Sequence, residues 1–269
     1  MLAQDQQYIN PTEKSLPIIL LLDVSTSMKL PISGRPGATR ISELNQATAL
    51  LIENLKAESL ELDFLVSIIT FGQNVSLHLP PTKVEKINWK DMSPYGNTPL
   101  GRALVMAKDL IEDRNQTPSR AYTPTVILVS DGEPNDSWEA PLDDFLQTGR
   151  SQKCDRMAIA IGDSAVNPGK TRDMLKRFTA GGKFEEPYKV TDVATLHDVF
   201  ERVTMSLTQK AKIESIKMSA PDPNLLAPSF DIPSIQESKS QSIDLSQFSS
   251  AHQNSDDDSD EDSDWGDWD

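Results

Sequence analysis

Three short segments of the chain carry side chains that could act together on one ion. Asp23-Val24-Ser25-Thr26-Ser27-Met28 follows an apolar run, Gly96-Asn97-Thr98-Pro99-Leu100-Gly101 opens a helical pattern, and Asp131-Gly132-Glu133 follows a second apolar run. Asp23, Ser25, Ser27, Thr98 and Asp131 together offer two carboxylates and three hydroxyls, with no soft ligand among them. Hard oxygen donors of this kind suit Mg2+, Mn2+ or Ca2+. The alternation in Asp-x-Ser-x-Ser matters only if the loop aims all three side chains at one point. With only two charged protein ligands, the cation keeps residual positive charge, and an incoming Asp or Glu can complete its shell. Asp-x-Ser-x-Ser alone is a weak signal, because both residues are common in turns. A later Thr and Asp, in order and at element ends, make it specific.

The elements needed to bring these segments together are legible in the hydrophobic pattern. Ile18–Asp23, Phe64–Phe71, Val126–Ser130 and Met157–Ile161 are nearly continuous apolar runs, the pattern of strands buried on both faces. Val75–Leu79 alternates and reads as an edge strand, and Tyr188–Val190 as a short last strand. Helical spacing links Leu44, Ala47, Leu51, Ile52 and Leu55; a second set is Leu100, Ala103, Leu104, Ala107 and Ile111. Further helices are expected over Pro141–Arg150, over Thr171–Phe178, and around Leu196, Val199, Phe200 and Val203. Strands alternating with helices predict an α/β fold: a doubly wound, mostly parallel six-stranded sheet with helices on both faces. Such sheets bind ligands beyond the carboxyl ends of their strands, where the strand order switches.

DVSTS, GNTPLG and VSDGEP resemble the three parts of the metal-ion-dependent adhesion site of von Willebrand factor A-type domains. The resemblance covers about residues 15–210. It implies direct coordination by Ser25 and Ser27, and coordination by Asp23, Thr98 and Asp131 either directly or through water. Within the family, LPIILLLDVSTSM and SDGEPND are most similar to bacterial intracellular members such as the tellurium-resistance TerY-like proteins. That implies a role in stress response or signalling, with protein kinases or phosphatases as partners. Lys29–Arg40 is longer than is usual in the family and is expected to shape the rim of the site.

Several of these residues also have plainer readings. Thr98 before Pro99 fits a helix N-cap with proline at the first helical position, and we expect it to serve as cap and ligand together. Glu133 and Asp136 could raise ion affinity, but read more simply as solvated turn residues. Arg35 and Arg40 could draw an acidic partner to the rim, but read more simply as exposed. Trp89 and Tyr95 fit either a contact surface or packing over a loop. His78, His197 and Cys154 show no pairing pattern.

Two other functions are open to the sequence. A phosphatase of the haloacid dehalogenase type also begins with Asp after a first apolar strand, and Gly162-Asp163 resembles its last acidic motif. That chemistry needs an acid two residues after the nucleophile, where this chain has Ser25, and Asn167 stands in a candidate place for the missing later acid. The other is an A-type scaffold in which no metal matters. The chain has no Gly-x-Ser-x-Gly elbow, no Walker A loop and no Gly-x-Gly-x-x-Gly fingerprint, so it is not expected to be an enzyme.

Composition narrows the partners. The formal net charge of −15 argues against a nucleic-acid backbone or an anionic membrane surface as ligand. Nine of those charges come from the eight Asp and one Glu of Asn254–Asp269, a segment expected to be disordered. Its Trp265 and Trp268, set among acids, suggest a docking motif for a basic groove; a solubilising tail is the plainer reading. Residues 1–13 read as an N-terminal extension, 14–212 as the A-type domain, and 213–253 as a Ser/Pro/Gln-rich linker before the acidic tail of 254–269. A single cysteine and no basic-then-apolar leader fit a reducing, cytoplasmic setting.

Overall fold

A computed structural model describes residues 14–60, 62–162 and 169–219, with side chains described through residue 216. Residues 1–13, Asp163, Asn167 and the acidic tail lie outside the described residues.

The strands are β1 (Ser15–Asp23), β2 (Asp63–Phe71), β3 (Val75–Lys83), β4 (Thr125–Ser130), β5 (Asp155–Ile161) and β6 (Tyr188–Val190). The helices are α1 (Arg40–Glu58), α2 (Leu100–Glu112), α3 (Glu139–Gln147), α4 (Lys170–Thr179) and α5 (Val193–Ser219). The six strands form one sheet in the order β3-β2-β1-β4-β5-β6. All pairings are parallel except β2 with β3. The fold is thus the doubly wound, Rossmann-like α/β sheet expected. β3 runs through Pro80 and Pro81 to Lys83, beyond its expected end; proline lacks an N–H to give the ladder, so it is tolerated at an edge.

The alternation of side chains along each strand divides the core in two. Ile18, Leu20 and Leu22 of β1, with Ile127 and Val129 of β4, face α1 and α5 through Leu44, Leu51, Leu55, Leu196, Phe200 and Val203. Ile19 and Leu21, with Val126 and Leu128, face α2, α3 and α4 through Leu100, Leu104, Phe145 and Phe178. Apolar side chains on both faces explain why β1 and β4 show no polar alternation. α5 extends past residue 212 to Ser219. Near its far end, buried Lys210 is tied to Asp155 at 2.8 Å and to Thr125 Oγ1 at 3.0 Å, at the amino ends of β5 and β4. No helix among the described residues is long and apolar enough to cross a membrane.

The chain leaves β1 by way of α1 to reach β2 on one side, and β4 lies on the other side of β1. The switch in strand order therefore falls between the carboxyl ends of β1 and β4, at Asp23 and Ser130-Asp131.

The inward face of α2 is testable within one turn of helix. Leu104 is fully buried, whereas its neighbour Val105 is 47% exposed. Leu104→Ala should lower the unfolding free energy by about 2–5 kcal/mol, and Val105→Ala by no more than about 0.5 kcal/mol, as read by urea denaturation.

Candidate metal site at the strand-order switch

Asp23 ends β1 with no exposed surface. Its Oδ1 accepts the Ser25 backbone N–H at 2.8 Å, and its Oδ2 accepts the Ser130 hydroxyl at 2.7 Å. After Asp23 the backbone tightens into a 3-10 turn over Thr26–Lys29. That turn brings Ser25 Oγ and Ser27 Oγ to 2.9 Å from each other, and Ser27 Oγ donates to Asp131 Oδ1 at 2.7 Å. A methyl placed on Gly132 would lie 3.8 Å from Thr98 Oγ1 and 3.9 Å from Ser27 Oγ, so both hydroxyls border the same small space. The structure thus brings Asp23, Ser25, Ser27, Thr98 and Asp131 together at one sheet edge. Among the described residues no three His, Cys, Asp or Glu side chains cluster to hold an ion; the two carboxylates here are supplemented by hydroxyls instead.

Backbone bonds lock the three loops to one another. Tyr95 N–H donates to Val24 O at 2.7 Å and Thr26 N–H to Gly96 O at 2.9 Å, joining the first loop to the second. Gly96 has φ +89°, and a Cβ there would stand 2.3 Å from the Gln73 backbone, so only glycine fits. Thr98 N–H donates to Asn135 Oδ1 at 3.1 Å and Asn135 N–H to Thr98 O at 3.1 Å, joining the second loop to the third.

Thr98 is not the cap of α2. Pro99 occupies the N-cap position, and no side chain at that position makes a capping bond. The cap comes from the third loop: Asp136 Oδ1 and Oδ2 accept the N–H groups of Gly101 and Arg102 at 3.0 and 3.1 Å. Asp136 is therefore a structural carboxylate and not a freely solvated turn residue, and a negative charge at a helix N-terminus is favourable. The Thr98 hydroxyl instead borders the space beside Gly132 that it shares with Ser27 Oγ. Glu133 is exposed and sits 3.6 Å from Lys170.

Arg40 also departs from expectation. Its side chain is 8% exposed and its Nη1 donates to Asp131 Oδ2 at 2.7 Å. It reaches this position because Lys29–Arg40 folds back on itself. Pro31 bridges to Thr39, and Arg40 N–H donates to Leu30 O at 3.0 Å. Thr39 and Ser42 then form a capping box that starts α1. Gly162, at φ +75°, lies against the guanidinium; a Cβ there would be 2.4 Å from Arg40 Cζ. The segment also docks on the start of α5, where Val193 N–H donates to Ser33 O at 3.0 Å. Arg35 pairs with buried Glu43 and stays partly exposed.

Of the aromatic residues, Tyr95 is 60% exposed beside the first loop, whereas Trp89 packs against the core and donates to Asp91 Oδ1 at 3.0 Å. His78 Nε2 donates to Lys90 O at 2.9 Å, and Nε2 of His197 is 3.9 Å from Glu43 Oε2. Cys154 is buried, and burial pushes its thiol up to about 12, which leaves it inert as a nucleophile. The sequence reading passed over Ser130, Asn135 and the depth of Arg40. A Ser that ends a strand beside an Asp was the available signal for Ser130; nothing local marks Asn135.

Burial pushes the Asp23 carboxyl up from 3.8 to about 7; the like charge of Asp131 adds to the rise, and the bonds from Ser25 and Ser130 oppose it. Two hard carboxylates held close and out of water, with hydroxyls between them, are a fitting donor set for a divalent cation, whose charge would offset their repulsion.

Residues 18–133, which include all five of these residues, match the family model of the von Willebrand factor type A domain. No curated protein matches the sequence significantly. Among solved structures, the chain is similar to proximal thread matrix protein 1 from the mussel byssus (16% identity, TM-score 0.51, covering 73% of this chain and 48% of that one). It is similar to a paralogue of ArnB from Sulfolobus acidocaldarius (16%, 0.50, 71% and 45%) and to the PilB minor pilin of Streptococcus sanguinis (14%, 0.56, 76% and 63%). The chain spans about half the length of the first two and less than two thirds of the third. At these identities the likeness is one of fold, and that fold is the A-type, Rossmann-like sheet.

The raised Asp23 pKa carries a sign. An acid whose folded-state pKa exceeds its unfolded value loses stabilisation as pH rises between the two, here from about 4 to about 7. In chelator, the melting temperature of Asp23→Asn relative to the wild type should therefore climb from pH 5 to pH 8. A difference that stays flat over that range would contradict the buried, unfavourable charge.

Proposed function

We propose that this chain is a metal-dependent protein-interaction module. In this reading Asp23, Ser25, Ser27, Thr98 and Asp131 hold one divalent cation, which binds an Asp or Glu side chain presented by a partner protein. The observation that carries the reading is the convergence of these five side chains on the switch point of the sheet, with the hydroxyls of Ser25 and Ser27 2.9 Å apart. The hard, all-oxygen donor set supports Mg2+ first, with Mn2+ or Ca2+ as alternatives. Once held, the cation would supply an electrophilic acceptor for a carboxylate.

The chain's own residues set up that encounter. Asp23 and Asp131 contribute the negative charge, Ser25, Ser27 and Thr98 contribute neutral oxygens, and the braced loops keep the arrangement in place without the ion. The exposed ring of Tyr95 stands beside the first loop, where it can flank an incoming acidic side chain. Ser25 occupies the position that phosphatase chemistry requires to be an acid, and it is buried and bonded to Ser27; this supports binding over hydrolysis. The similarity of LPIILLLDVSTSM and SDGEPND to TerY-like proteins supports a partner from a bacterial stress-response or kinase- and phosphatase-linked system, met in the cytoplasm. The acidic tail would supply a second, separate contact to a basic groove.

The test is affinity capture from a bacterial lysate in Mg2+ and in EDTA, with wild type and Asp23→Ala as baits. Partners retained by the wild type in Mg2+ should be lost in EDTA, and Asp23→Ala should lose them in both. Equal retention under all four conditions would refute the bridging role.

A further inference from the structure

Arg40 stands beside the metal site just proposed, and its role there rests on that reading. Its guanidinium is a fixed positive charge built into the edge of that site. Nη1 donates to Asp131 Oδ2 at 2.7 Å while Ser27 Oγ donates to Oδ1 of the same carboxylate at 2.7 Å. Both sides of the ion pair are out of water, at 8% and 0% exposure. The position is built and not incidental. Leu30 O accepts the Arg40 N–H, the Thr39–Ser42 capping box fixes the start of its helix, and Gly162 has no side chain where one would strike the guanidinium.

We propose that Arg40 sets the charge of the site. It shares Asp131 with the cation, weakens the ion's hold on the protein, and leaves the bound ion with unspent positive charge for an acidic ligand. A guanidinium one hydrogen bond from a ligand carboxylate, in a water-poor setting, repels a divalent ion strongly. It also binds part of the carboxylate's negative charge, which the ion would otherwise receive. The same contact holds Asp131 in place when no ion is bound, since a buried carboxylate without a partner is unfavourable. Arg40 is thus a positioning and affinity-setting residue, not a ligand.

The experiment is Mn2+ binding to the full chain, with free Mn2+ counted by electron paramagnetic resonance. Ser25→Ala serves as the reference that removes the specific site and leaves adventitious binding by the acidic tail. Arg40→Gln and Arg40→Met remove the charge, and Arg40→Lys keeps it without the planar fork. Circular dichroism checks that each variant is folded. The Ser25-dependent dissociation constant should fall roughly tenfold or more in the two neutral variants, and should change little in Arg40→Lys. Neutral variants that bind Mn2+ as weakly as the wild type, or more weakly, would overturn the role of Arg40 and leave the metal site standing. Tightening in Arg40→Lys equal to that in Arg40→Gln would also overturn it, because charge would not be the cause. If neither the wild type nor the neutral variants show a Ser25-dependent site, the metal reading falls, and this inference falls with it.

Discussion

Two like charges brought out of water side by side are the constraint that the rest of the molecule accommodates. Asp23 ends β1 and Asp131 follows the last residue of the adjacent parallel strand β4; both are buried, and the charge of Asp131 adds to the burial that opposes ionisation of Asp23. An unpaired buried carboxylate is costly, yet here two are kept within one hydrogen-bonded group. Hydroxyl and amide donors take up three of their four oxygens: Ser25 N–H and Ser130 Oγ on Asp23, and Ser27 Oγ on Asp131. The fourth is met by a guanidinium. The fold thus tolerates an electrostatic liability at one point, and such a concentration of unfavourable charge is more typical of functional sites than of structural cores.

The sheet makes this tolerance possible. β1 and β4 are central, apolar on both faces, and covered by helices on each side. Their burial stabilises the domain independently of the polar edge, so the edge is free to be suboptimal. Because β1 and β4 are neighbours in space but separated by more than a hundred residues in sequence, the charge pair forms only in the folded chain. The segment between them supplies Thr98 at the same edge.

How much of this was legible in the sequence follows from how local each determinant is. The strand runs and helical stripes are local, and they gave the order and type of the elements. β3 extended beyond its expected end only because an edge position tolerates Pro80 and Pro81. The convergence of the five candidate residues was legible because loops at strand ends must meet at the carboxyl end of the sheet in this topology. Capping was misread at Thr98, because the acceptor for the α2 amides is Asp136, which lies 34 or 35 residues away in the chain. Arg40 was misread for the same reason. A basic residue after a Gly- and Pro-containing loop is usually solvated; its burial depends on a tertiary carboxylate and on a glycine in β5's exit turn, neither of which its neighbours reveal.

The cross-bracing of the loops bears on how the site works. The first loop is bonded to the second through Val24, Thr26, Tyr95 and Gly96, and the second to the third through Thr98 and Asn135. Asp136 then anchors the third loop to the start of α2, which is packed into the core. Every segment that bears a donor is therefore tied to another such segment or to a rigid element. Bracing of this kind fixes the backbone around the five side chains in advance, and preorganisation removes an ordering penalty from any binding there. Of the two carboxylates, Asp131 is the one held by a cation as well as by a hydroxyl, through Arg40 and Ser27. That contact between Arg40 and Asp131 lies where the long segment before α1 meets the carboxyl ends of β1 and β4.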